Sequence, residues 1–305
     1  AGTGTIPANY TTHSFGATST VEYYGTDQTV TILNTAQNYG YLIISGTGIK
    51  TVNGSIGIAG NLTVNSGIFS ISTFSSNRVS AGGLLTVANG ATLRIQGSGT
   101  LPANFSTHSI GATSTIEYSG TSPQNVAVLN SSQDYGNLNV LNQTKILLGN
   151  TRVRGTLTFG GTATNRLVLG SNTLTLEGAI GGSSISAGRN FTGSSASNLV
   201  LNGSFNRSIF FNTTTDTVTG GIRGSSSSNL IFNGTVSPML SMDQTTAGTT
   251  NALSTLQINS SGQVVTMGND LVVTASTFTA GKLAINGNTL TLKGLVTNTV
   301  AGGIR

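Results

Sequence analysis

The sequence predicts an all-β chain, a single-stranded parallel β-helix (β-solenoid) running as one continuous body over residues 1–305, with right-handed coiling expected. Three observations carry that expectation. Short apolar runs alternate with polar residues at period two, the mark of a strand with one buried face. One strand–turn–strand phrase recurs along the chain, and long stretches are duplicated. The composition, with 42 Gly, 4 Pro and 36% hydrophobic residues, suits many short strands and tight turns. No stretch holds a 3.6-residue apolar period for three turns. The alternative is a pair of antiparallel β-sandwich domains with a boundary near residue 145. Asn-Gly pairs that could close hairpins favour it; strands shorter than a sandwich normally uses oppose it.

The repeating phrase is clearest in residues 281–294, GKLAINGNTLTLKG. Leu283 to Ile285 and Leu290 to Leu292 read as strands around the turn 286–289, where Asn and Gly tolerate positive φ. Residues 167–176 repeat it closely, and 60–71 and 84–95 are looser copies. Two larger units precede and overlap these phrases. Residues 6–46 recur as 101–142: His13 matches His108 at 95 positions, and Tyr39-Gly40 matches Tyr135-Gly136 at 96. A second repeat type links 197–203 with 228–234, 31 positions apart, and 217–223 recurs as 299–305. The chain therefore stops inside a repeat, and a segment of a longer array is expected.

Stacking explains why such phrases would fold. A single phrase exposes an apolar face too small to be stable alone. Piled along an axis, each inward Leu or Ile contributes roughly 1.5–3 kcal/mol of burial. A coil of about 20–25 residues would give on the order of 12–15 coils.

Charge and cysteine content narrow the function. Charged residues are 7% of the chain, so a net charge of +5 is thinly spread. A nucleic-acid binder would show clustered Lys and Arg, and none is evident, so no nucleic-acid partner is expected. No apolar run approaches a membrane span, and no signal peptide opens the sequence. Cysteine is absent, which a long solenoid with a continuous core tolerates in an oxidising compartment.

At the level of phrases, GNLTV, SNTLTLEG, GNTLTLKG, SSSSNLIFNGT and the TVAGGIR-type ends resemble the long repetitive surface proteins secreted by Bacteroidota. The resemblance covers most of the chain. It implies an extracellular, type IX-secreted adhesin or filament, with a link to gliding motility, and brings no catalytic residues with it.

His13 and His108, the two histidines, occupy equivalent places in the long copies, which points to the shape of the repeat. No metal-ligand spacing surrounds them, and no metal or cofactor is expected. Glu22 and Glu117 are likewise equivalent and should face outward between apolar neighbours. The eight acids, Glu22, Asp27, Glu117, Asp134, Glu177, Asp216, Asp243 and Asp270, are dispersed. A carbohydrate-active β-helix enzyme would need two or three of them to meet in one groove. Arg152 and Arg154 flank Val153 and, with Lys145, form the densest basic spot, a candidate contact for a polyanion such as an acidic polysaccharide. Thr63, Thr86, Thr158, Thr175 and Thr291 should lie outward; an ice-binding face would need them in an unbroken row. Asp216-Thr217-Val218 resembles the short O-glycan acceptor motif of the same phylum, making Thr217 a candidate acceptor.

The expectation that gathers these readings is a non-enzymatic cell-surface protein. Its partners would be neighbouring repeats, copies of itself and surface polysaccharides, engaged through many weak contacts. A carbohydrate-active enzyme and an ice- or surface-binding solenoid are the alternatives.

Overall fold

The computed structural model describes residues 4–7, 10–34, 37–130, 132–160, 165–181, 191–193, 197–202, 224–233, 237, 239–242, 244–299 and 301–305. It is all-β, a parallel β-solenoid of about 11 turns. Every strand pairing among the described residues is parallel, which excludes the antiparallel sandwich (for example Val21 with Leu42 and Leu256 with Ser276). The turns are fewer than expected because the rung length varies. Paired residues are 18 apart between Val264 and Lys282 and 31 apart between Leu199 and Leu230. Two compact units make up the chain, Ala1–Asn139 and Val140–Arg305.

In the first unit one sheet stacks Thr20–Tyr23, Tyr41–Ile44, Leu62–Val64, Gly82–Val87 and Phe105–Ile110. A second contains Gln28–Val30, Ile49–Val52, Ile68–Ser70, Thr92–Ile95 and Thr115–Tyr118, and a third pairs Ile56–Ile58 with Ser76–Arg78. Register aligns like with like. Val21, Leu42, Leu62, Leu85 and His108 form one inward column, and Tyr23, Ile44, Val64, Val87 and Ile110 the next. In the second unit the longest sheet stacks Thr151–Val153, Thr173–Leu176, Asn198–Leu201, Ser225–Phe232, Ala252–Ile258, Leu271–Phe278 and Leu290–Leu292. Its buried column runs Leu174, Leu199, Leu230, Leu256 and Ser276.

The repeated phrase is a corner, not a hairpin. Leu167–Gly170 pairs with Lys145–Leu147 and Phe191–Gly193, whereas Thr173–Leu176 pairs with Thr151–Val153 and Asn198–Leu201. Leu62–Val64 and Ile68–Ser70 separate into different sheets in the same way. So do Lys282–Ala284 and Leu290–Leu292, although Asn286 and Gly287 between them both have positive φ, 52° and 77°. Two left-handed residues reverse a chain only when the flanking strands can pair. Here each strand finds its partner one rung away instead.

Burial follows the stacked neighbours more than the phrase itself. Leu174 and Leu176 are buried between rungs on both sides, while Leu292, in the matching phrase, is 40% exposed. Close rung spacing also dictates Gly40 and Gly136, equivalent in the long copies. A Cβ on Gly40 would lie 2.3 Å from the Ser19 carbonyl oxygen, and one on Gly136 would lie 2.3 Å from that of Gly111.

Leu62 is fully buried between Leu42 and Leu85, whereas Thr63 faces outward. Leu62→Ala is expected to destabilise the first unit by about 2–5 kcal/mol, and Thr63→Ala by no more than about 0.5 kcal/mol. Native-state hydrogen exchange of the amides of 41–44 and 82–87 measures both.

Candidate functional site

The duplicated units 6–46 and 101–142 share a buried device that accounts for their similarity. The hydroxyls of Tyr118 and Tyr135 lie 3.4 Å apart inside the first unit, and those of Tyr23 and Tyr39 lie 3.0 Å apart. Each pair grips one residue of the intervening segment. Tyr135 donates to the Ala127 carbonyl at 2.6 Å, while the Ala127 amide donates to the Tyr118 hydroxyl at 3.1 Å. Tyr39 and Tyr23 treat Thr31 the same way, at 2.6 and 3.3 Å. The residue that follows each of the strands Gln28–Val30 and Gln124–Val126, where the chain leaves its sheet, thus has its backbone groups satisfied by phenols. Burial pushes the Tyr39, Tyr118 and Tyr135 hydroxyls above the ordinary phenol range, so they remain neutral donors.

One histidine serves the same end. His108 is buried in the column beneath Leu85, and its Nδ1 accepts the Asn130 amide at 3.0 Å. Accepting at Nδ1 places the proton of the neutral ring on Nε2, and burial lowers its pKa. The Asn130 side chain ties the same segment to the Phe105 carbonyl at 2.7 Å. His13 is half-buried and stacks on Phe15, with ring centroids 6.3 Å apart.

The described carboxylates act mostly as braces between rungs. Glu117 accepts Arg94 Nε at 2.6 Å and Asn139 Nδ2 at 3.3 Å. It lies on the outer side of its strand, as expected, yet these two side chains cover it, leaving it 8% exposed. Glu22 is exposed and accepts the Ser45 hydroxyl at 2.5 Å. Asp27 accepts the Ile49 amide and Asp270 the Thr289 amide, both at 2.7 Å. Glu177 binds Arg152. Asp216 and Asp243, like Thr217, lie outside the described residues.

The basic spot expected at Lys145, Arg152 and Arg154 is not assembled. Lys145 is fully buried, because it occupies an inward position at the start of its strand in register with Leu167. Burial lowers its pKa to about 8. Lys50, 95 positions earlier, is buried likewise, and its ammonium donates to the carbonyls of Gly25, at 2.6 Å, and Thr47. Lys50 thus buries its stem in the core and satisfies turn carbonyls with its head. Arg152 does lie outward, but beside Glu177. Arg154 is half-buried. The outward threonines form no unbroken row either: Thr63 stacks on Thr86, but Ile43 and Ser109 flank that pair.

What sequence reasoning missed is the use of asparagine. Asn side chains accept backbone amides from a neighbouring rung: Asn61 from Leu84 at 2.9 Å, Asn77 from Ala103 at 2.8 Å and Asn150 from Thr173 at 2.8 Å. In two copies of the repeated phrase the Asn also donates across rungs, Asn172 to the Leu147 carbonyl at 3.0 Å and Asn288 to that of Met267 at 2.8 Å. The recurrence of Asn before Thr-Leu-Thr-Leu was the signal available. Among the described residues no His, Asp and Glu group is placed to hold a metal ion, and no helix is long and apolar enough to cross a membrane. No protein-family model, curated protein or solved structure matches this chain.

Tyr135→Phe leaves the part-buried Ala127 carbonyl without its donor, and a loss of about 1 kcal/mol is expected. Faster exchange of the amides of 124–130, with those of 62–64 unchanged, is the readout. His108 contributes a pH dependence of known sign. Its folded pKa is below the unfolded 6.5, so its contribution is complete above that value and is lost as pH falls through it. Urea unfolding between about pH 7 and pH 5, where carboxylates stay ionised, should show declining stability that His108→Leu flattens.

Proposed function

We propose that this chain is an extracellular structural and adhesive repeat protein, part of a cell-surface filament or adhesin. It acts by holding a stiff surface on which many weak contacts add up. One observation carries the reading. Glu22, Asp27, Glu117, Glu177 and Asp270 each engage a group one rung away, at Ser45, Ile49, Arg94, Arg152 and Thr289. Acids that would be the reactive groups of a sugar-cleaving site are here used to fasten rungs together. The phenol clamps and asparagine bridges work in the same direction. A chain that commits its scarce carboxylates to rigidity is suited to display.

Display becomes adhesion through multiplicity. Linked weak contacts can exceed a single one by roughly 10²–10⁴ in effective affinity when geometry permits simultaneous engagement. Neighbouring repeats, further copies of the chain and surface polysaccharides are the partners this reading favours.

Protease treatment of intact cells, followed by antibody detection, tests the location. The reading expects the chain to be released or clipped while cytoplasmic markers survive. Retention of the whole pool inside intact cells, released only on lysis, would contradict it.

A further inference from the structure

We infer that the outer face of the second unit carries a site for an acidic polysaccharide, built around Lys282 and Arg305. The inference rests on the adhesive reading above and names the chemistry of one of its contacts. A cavity of about 340 Å³ opens there, with Ser261, Gln263, Val264, Lys282, Ala301 and Arg305 among its lining. It spans three successive rungs. Val264, Lys282 and Gly303 are paired in register, and the intervening Val265 and Leu283 point into the core, fully buried.

The register explains the opening. Gly303 stands directly beside Lys282, and the space a Cβ would enter is empty, with no atom within 4 Å. Arg305 lies two residues further along the same strand direction, so side-chain alternation returns it to the face of Lys282. Strand spacing and rise put the two Cα atoms roughly 8 Å apart. Both side chains are exposed, and among the described residues neither has an ion pair. No Asp or Glu side chain is among the lining residues. Like charges as near neighbours on a sheet destabilise it, and an anion between them reverses the sign.

The wider charge distribution agrees. Residues 140–305 hold ten Lys and Arg against four Asp and Glu, whereas 1–139 hold three against four. The positive net charge of the chain therefore resides in the unit that contains the cavity, which favours the approach of anions to that unit. The lining favours a sugar over a nucleic acid. Ser261 offers a hydroxyl partner and Val264 an apolar patch for a ring face, while no aromatic side chain is present for a base to stack on. A carboxylate or sulfate group on the sugar would bridge the two cations.

Calorimetric titration of the whole chain with polygalacturonate and with heparin tests the site, using Lys282→Ala, Arg305→Ala and the control Lys293→Ala. The control removes the same charge from an exposed position outside the cavity. Circular dichroism establishes that each variant is folded. Binding at low salt that weakens about tenfold in each cavity variant, with the control within about twofold of the parent, is the expected result. Retention by polygalacturonate separates a carboxylate site from one that requires the sulfate of heparin. Equal weakening in all three variants, no binding to either polymer at low salt, or equal affinity for a DNA duplex would overturn the inference. None of these outcomes bears on the protease result, so the site can fail while the surface location stands.

Discussion

Parallel stacking of one rung on the next is the constraint from which the other features follow. A parallel pair cannot be closed by a tight turn, so each strand must wait about a full coil for its partner. Among the described residues, paired positions then lie about one coil apart, from 18 for Val264 and Lys282 to 31 for Leu199 and Leu230, and apolar side chains mostly stack on apolar ones in the inward columns. Val21 leads to Leu42, Leu62 and Leu85, and Leu174 to Leu199, Leu230 and Leu256. Apolar columns make the core, and polar columns at the corners make the bridges. The same constraint explains glycine at Gly40 and Gly136, where rungs approach too closely for any side chain.

Polar groups inside such a stack need partners that do not disturb the register. The first unit uses three kinds: paired phenols gripping the residue after a strand, a lysine reaching turn carbonyls, and a neutral histidine accepting an amide. Each satisfies backbone that belongs to no sheet. An unpaired buried carbonyl or amide costs more than an ordinary hydrogen bond returns, so these side chains set where the chain can leave the regular coil and rejoin it. The long copies preserve the tyrosine pair and the asparagine that do this, Tyr23, Tyr39 and Asn34 matching Tyr118, Tyr135 and Asn130.

Much of this was legible in the sequence, and the failures have physical causes. Period-two alternation and repeated phrases gave the strands and the fold class, down to Leu290–Leu292. The turn chemistry of Asn286-Gly287 suggested a hairpin because local φ values cannot reveal that the flanking strands belong to different sheets. Lys145 was placed on the surface because charge usually prefers water. Its inward position is fixed by pairing with Leu167, a contact between rungs that no local window contains. The asparagines looked like turn residues for the same reason: their partners lie about one coil away. Arg152 and Glu22 were placed correctly outward, since alternation alone decides the face.

Cysteine cross-linking tests the stacked register most directly, because the chain has no cysteine of its own. Thr63 and Thr86 are in-register neighbours on the outer face, at a spacing of about 4.8 Å between strands, within the range a disulfide bridges. Thr63→Cys with Thr86→Cys should oxidise within a single chain and leave the fold intact. A folded chain in which that pair stays reduced, or cross-links only between molecules, would contradict parallel stacking of adjacent rungs.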